Sequence, residues 1–112
     1  MNYLDKKNSL RKIIERHLGK ANAISRAILS DALQIHDRDV RHLIHDLRAE
    51  GHLIGSTSKN AGYYLCETLE EKMETLHDLK SRAFSALHLV SKLDRNPLYI
   101  HAARVMQLEL GL

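Results

Sequence analysis

The chain has 112 residues, the size of one domain or of one domain with an appendage. Hydrophobic residues make up 44% of it, but tryptophan is absent and phenylalanine occurs once, so leucine, isoleucine and alanine must fill a small core. No apolar run approaches the roughly 18 to 20 residues that cross a bilayer, and no signal-peptide core follows the first charges, so we expect a cytoplasmic protein without membrane contact. Cys66 is the single cysteine, which excludes an internal disulfide.

The net charge of +3 is unevenly distributed along the chain. Residues 1–66 contain 11 lysines and arginines against 7 acidic residues, and residues 67–112 contain 6 against 7. Five of the eight histidines also lie in the first part. This asymmetry suits an N-terminal part that faces nucleic acid and a neutral helical C-terminal part.

Two short amphipathic helices are predicted at the start of the chain. The apolar face of the first, which ends before Gly19, consists of Leu10, Ile13, Ile14 and Leu18. A short extended piece at Ala23–Ile24 precedes Ser25, whose hydroxyl suits the N-cap of the second helix. The apolar stripe of that helix consists of Ile28, Leu29, Ala32 and Leu33. A polar connection, residues 34–37, leads to the third helix.

The third helix, capped at His36 or Asp37, separates its surface into distinct sectors. Its apolar face consists of Val40, Leu43, Ile44 and Leu47. At about 100° per residue, the sector opposite that face contains Arg38, His42 and His45, with Arg41 and Arg48 on one flank and Asp39 and Asp46 on the other. Gly51 is expected to end the helix in a left-handed conformation.

A β-hairpin is predicted after the third helix. Leu53–Ile54 and Tyr63–Leu65 are rich in β-branched and aromatic residues, as strands are. The polar stretch Gly55–Gly62 between them is too long for a tight turn, so we expect a mobile loop in solvent. Tyr63 and Tyr64 are expected to alternate, one in the core and the other partly exposed.

The rest of the chain is predicted to be helical and to form a separate region, residues 67–112. Thr68 and Glu71 suit a capping box at the start of a long helix. Asn96 and Pro97 suit the start of a final short helix that ends near Gly111. Within the long helix, apolar residues recur at the 3, 4, 3, 4, 3 spacing of a coiled-coil seam: Leu76, Leu79, Ala83, Ala86, Val90 and Leu93.

This heptad seam needs a partner surface, because a small N-terminal domain cannot cover all of it. One arrangement is a homodimer through the helix at residues 68–94, and the other is a fold-back of the last helix over the seam. Ala83 and Ala86 allow close helix approach in both. The sequence favours the homodimer.

The order of these elements resembles a known DNA-binding family. The residues that carry the resemblance are Val40, Arg41, Ile44, Leu47, Arg48, Gly51, Ile54, Ser56 and Gly62–Leu65. Over residues 8–66 the chain is similar to the winged-helix domains of bacterial and phage DNA-binding proteins, above all the N-terminal domain of biotin-operon repressors and small prophage-encoded proteins. The resemblance implies a mainly α, α+β fold: a winged helix-turn-helix of three helices and a hairpin wing in residues 1–66, then a long helix and a short terminal helix.

The resemblance and the surface charge together point to double-stranded DNA as the partner. The expected contacts from the third helix are Arg38, Arg41, His42, His45 and Arg48. Those from the wing are Ser58, Lys59 and Asn60, and those from the start of the second helix are Ser25 and Arg26. The alternative for Arg48 is an ion pair with Glu50 or with another nearby carboxylate. The implied role is a transcriptional regulator or a phage-type replication factor, and the alternative is a winged-helix module that binds a protein.

Catalysis, metal binding and a cofactor are not expected. The serines lie in caps and in the loop without the glycines of a nucleophile elbow, and Cys66 has no CxxC companion. His42 and His45 are three residues apart, but zinc needs three or four ligands. Because imidazole titrates near neutrality, histidines at a DNA interface predict an affinity that rises as the pH falls from about 8 to about 6.

Overall fold

The computed structural model describes residues 1–58 and 61–112, which form two compact units, residues 1–72 and 73–112. The helices are α1 (Tyr3–Glu15), α2 (Arg26–Leu33), α3 (Asp37–Ala49), α4 (Leu69–Asp94) and α5 (Pro97–Leu110). The strands are β1 (Ile24–Ser25), β2 (Ile54–Ser56) and β3 (Gly62–Leu65), and a 3-10 turn spans Lys20–Asn22. The expectation of a mainly helical α+β fold is confirmed. No helix in the described ranges is long and apolar enough to cross a membrane.

The core of the first unit is formed by the apolar faces of α1, α2 and α3 with the sheet. Its buried residues are Leu10, Ile14, Leu29, Ile35, Val40, Leu43, Ile44, Leu47, Ile54 and Tyr63. Three residues expected on apolar faces are exposed and lie outside it: Leu18 (41%), Ile28 (58%) and Ala32. Helix α1 ends at Glu15 because the following residues pair with the end of β3, where Leu65 donates to the His17 carbonyl and Gly19 to the Leu65 carbonyl.

The hairpin belongs to a three-stranded antiparallel sheet with the order β1-β3-β2. Tyr63 and Tyr64 of the central strand are both buried, at 7% and 1% exposure, so the expectation that one would be partly exposed is wrong. Gly55 lies opposite Tyr64, and a Cβ there would come within 2.3 Å of the Tyr64 Cζ. The missing side chain of Gly55 thus makes room for the Tyr64 ring. Both strands also include residues that were expected in the polar loop, because β2 extends to Ser56 and β3 begins at Gly62.

Predicted helix boundaries are confirmed at Ser25, Gly51 and Thr68. The Ser25 hydroxyl accepts from the Ile28 amide, and Gly51 after α3 has a φ of +99°. Thr68 and Glu71 form the capping box: the Glu71 amide donates to Thr68 Oγ1 at 3.1 Å, and the Thr68 amide to Glu71 Oε1 at 3.4 Å.

The second unit is a helical hairpin of α4 and α5. Asn96 caps α5 by accepting from the Leu98 amide, and Lys80 pairs with Glu109 at 2.9 Å. Helix α5 therefore folds back on α4, as one of the two expected arrangements has it. It packs on the face of α4 that contains Lys80 and the buried Ser91, not on the heptad seam. The heptad seam lies on another face, and its residues from the second onward are exposed: Leu79, Ala83, Ala86, Val90 and Leu93.

Candidate nucleic-acid interface

The exposed face of α3 carries the cations that the sequence placed there. Arg38, Arg41, His42 and His45 are all exposed, with side-chain exposures of 59% for Arg41 and 81% for His45. The opposite face of the helix is buried in the core. The core thus anchors one face of the helix and leaves these four side chains exposed, two of them beside carboxylates: Arg41 pairs with Asp37, and His45 lies 3.3 Å from Asp46. We call the four side chains the basic face.

Helix α1 contacts two carboxylates near the C-terminal end of α3, Asp46 and Glu50. The Tyr3 hydroxyl donates to the Asp46 carboxylate, and Lys7 pairs with Glu50 at 3.0 Å. The hydrogen bond from Tyr3 first, and that from His45 second, hold the pKa of Asp46 below its ordinary value. The same contact with Asp46 raises the pKa of Tyr3. These two carboxylates thus fasten α1 to α3.

Asp37 links the N-termini of α2 and α3. Its carboxylate accepts from Arg26 Nε and pairs with Arg41 Nη2 at 3.0 Å. The bond to Asp37, followed by a hydrogen bond with Tyr63, raises the pKa of Arg26. Arg26 thus holds α2 against α3 and the central strand.

Arg48 contacts the hairpin main chain. It is half-buried, and its Nε donates to the Ile54 carbonyl at 2.8 Å. Glu50, the alternative partner, pairs with Lys7. Arg48 therefore has a structural role, because it joins β2 to α3.

The remaining predicted contacts lie at the start of α2 and in the hairpin loop. Ser25 caps α2 and pairs with Gly62 in the sheet, which connects the second helix to the hairpin. The Thr57 amide donates to the Gly62 carbonyl at 2.8 Å, and the Gly62 amide to Thr57 Oγ1 at 3.0 Å, so the loop is closed at its base. Ser58 is exposed, whereas Lys59 and Asn60 lie outside the described residues.

Sequence reasoning missed Asp37 as the shared acceptor of Arg26 and Arg41. The i, i+4 spacing of Asp37 and Arg41 was a readable signal, because it favours an ion pair on a helix. The spacing of Arg26 and Asp37 offered none, since only the turn between α2 and α3 brings them together.

Within residues 1–58 and 61–112, no group of three or more His, Cys, Asp or Glu side chains is placed to hold a metal ion.

No protein-family model, curated protein or solved structure matches this chain.

Proposed function

We propose that the chain is a sequence-specific double-stranded DNA-binding protein, with residues 1–66 as a winged helix, α3 as the recognition helix and the β2–β3 hairpin as the wing. A transcriptional regulator or a phage-type replication factor is the role we assign to it. The observation that carries the proposal is the basic face: four cationic or imidazole side chains exposed on a helix whose other side is buried.

An α-helix fits the major groove of B-DNA, which is about 12 Å wide, and arginine reads guanine through two parallel hydrogen bonds. The basic face offers Arg38 and Arg41 for base contacts and two histidines for bases or phosphates. Two nearby carboxylates, Asp46 and Glu50, are held by Tyr3 and Lys7 and do not oppose this contact, whereas Asp39 stays exposed on the acidic flank.

The ion pair between Arg41 and Asp37 does not remove Arg41 from the interface. Both side chains are about half exposed, at 59% and 47%, and exposed ion pairs contribute only about 0 to 1 kcal/mol. A bidentate contact with guanine discriminates against other bases by about 1 to 3 kcal/mol, and an ion pair this weak leaves Arg41 able to make such a contact.

Replacement of Arg41 tests the DNA-binding function. We expect the wild-type chain to bind a random duplex at low salt, and Arg41→Ala to weaken binding and reduce the slope of log affinity against log salt by about one unit. Fluorescence anisotropy of a labelled duplex measures both. Arg16→Ala is the control, because Arg16 is an exposed arginine at the C-cap of α1 and removes the same charge. Absence of binding by the wild-type chain would favour the protein-binding module instead.

We also propose that two copies of the chain associate through the heptad seam of α4, with the helices antiparallel. The side-chain sizes along the exposed seam are nearly symmetric about its centre. Two large residues, Leu79 and Val90, flank two small ones, Ala83 and Ala86, so the order of sizes is the same in both chain directions. Antiparallel pairing sets Leu79 against Val90 of the second copy and lets the backbones approach at the alanines. Residues 69–81 hold four carboxylates and two lysines, and residues 82–94 hold two basic residues and one carboxylate, so this orientation also places opposite charges together.

A charge at the centre of the seam tests the association. In sedimentation at micromolar concentration we expect the wild-type chain to be a dimer and Ala83→Glu to be a monomer with unchanged circular dichroism, because Ala83 is exposed in the single chain. Val105→Glu is the control, since Val105 is an exposed apolar residue of α5 and 49% accessible. A monomeric wild-type chain, or a dimer that only Val105→Glu disrupts, would contradict the proposal.

A further inference from the structure

A cavity of about 240 Å³ between α4 and α5 is lined by cations. His88, Lys92 and Arg95 line it from α4 and the turn that follows, and Arg104 lines it from α5. Ser91 and Ala103, both nearly fully buried, lie among them. We propose that this cavity binds a phosphate-bearing anion.

The charges of the cavity lack a counter-charge. No carboxylate lines it, and in the described part of the chain neither Lys92, Arg95 nor Arg104 has an ion-pair partner. A concave site lined by one sign of charge concentrates the opposite ion. The paired N–H groups of an arginine guanidinium match two oxygens of a phosphate group. A phosphate group is therefore the anion that these cations fit best.

Helix electrostatics explain only part of the cluster. Lys92 lies in the last turn of α4 and Arg95 directly follows that helix, where cations interact favourably with the helix dipole. Arg104 is in the middle of α5, where the dipole gives no reason for a cation. Arg95 has a φ of +66°, a left-handed conformation that glycine or asparagine adopts more easily than arginine.

The volume limits the size of the ligand. Pockets for drug-sized molecules have volumes of about 300 to 1,000 Å³, so 240 Å³ suits one or two phosphate groups rather than a whole nucleotide. Such groups occur in a free phosphorylated small molecule and in a nucleic-acid backbone. The chemistry of the site is the same for both sources.

Inorganic pyrophosphate, without divalent cations, is the probe that tests the site. In calorimetric titration of the full chain at constant ionic strength we expect saturable binding, and Arg104→Gln or Lys92→Gln should weaken it about tenfold. Arg82→Gln is the matched control, because Arg82 is an exposed cation of α4 outside the cavity, and it should change the affinity less than twofold. Binding that is absent at millimolar pyrophosphate, or weakened equally by Arg82→Gln, would overturn the proposal.

Competition with duplex DNA distinguishes the two sources. Displacement of pyrophosphate by duplex, with a lower salt slope of DNA binding for Arg104→Gln, identifies the DNA backbone as the ligand. Simultaneous binding of both identifies a free phosphorylated molecule. Either result supports the site, and the pyrophosphate titration does not depend on DNA binding by α3. Loss of pyrophosphate binding in Arg41→Ala but not in Arg104→Gln would place the anion on the basic face and refute the inference.

Discussion

Arg41 and Arg48 lie on the same helix but have different surroundings. Arg41 is exposed and shares Asp37 with Arg26, whereas Arg48 is half-buried and donates to the main chain of β2. Sequence periodicity placed both on one flank of α3 and assigned both to DNA. It could not separate them, because the acceptor of Arg48 is a backbone carbonyl whose position depends on how the hairpin packs.

Loss of the Arg48 guanidinium should therefore reduce stability. Arg48→Met keeps the aliphatic stem but leaves the Ile54 carbonyl without this donor, so we expect the free energy of unfolding to fall by about 1 to 2 kcal/mol. Urea denaturation measures the change. Arg38→Met is the control, because Arg38 is exposed on the same helix, and it should stay within about 0.5 kcal/mol of the wild type. Equal stability of both variants would refute the structural role of Arg48.

At the scale of elements, Glu71 joins the start of α4 to the turn after α1. Its carboxylate accepts from the amides of Glu67 and Lys20, each at 2.8 Å, and from that of Thr68. The bonds from Glu67 first and Lys20 next hold the pKa of Glu71 below its ordinary value. The sequence predicted the capping box but not the bond to Lys20, which lies far away along the chain.

Acid should weaken this junction. Because the folded pKa of Glu71 is lowered, its contribution is present above the unfolded pKa of about 4.3 and is lost as the pH falls from there towards the lower folded value. Glu71→Gln keeps an oxygen acceptor without the charge, so it should be less stable than the wild type at pH 7 and lose less stability on acidification. Urea denaturation at several pH values tests this, with the exposed Glu70→Gln as control. Parallel pH profiles for the wild type and Glu71→Gln would contradict it.

The elements themselves were largely readable from the sequence. The structure confirms several features that depend on local spacing: the apolar face of α3, the part of the α1 face that contains Leu10 and Ile14, the caps at Ser25, Gly51 and Thr68, and the strand character of the hairpin. Leu18, which was expected on the apolar face of the first helix, lies beyond α1 and is exposed. The two-residue strand β1 was seen only as an extended piece. Its pairing with β3, which makes β3 the central strand and buries both tyrosines, is a long-range contact without a local signal.

At the scale of the molecule, the chain presents two kinds of surface that its own fold leaves open. The first unit exposes the basic face of α3, and the second exposes the apolar heptad seam of α4. The heptad spacing identified the seam, but it could not show that α5 packs on another face, because that choice depends on interhelical contacts such as Lys80 with Glu109. The proposed dimerisation and the proposed DNA binding depend on different surfaces, so each can be tested without the other.

Mapping of amide chemical shifts by nuclear magnetic resonance, during titration of the full chain with a duplex that it binds, tests the DNA interface most directly. We expect the largest shifts at Arg38, Arg41, His42 and His45, and smaller ones at Ser58. Amides on the α1 side of α3, such as that of Asp46, should change little. Shifts confined to other elements, while those of α3 remain unchanged, would contradict the assignment of α3 as the recognition helix.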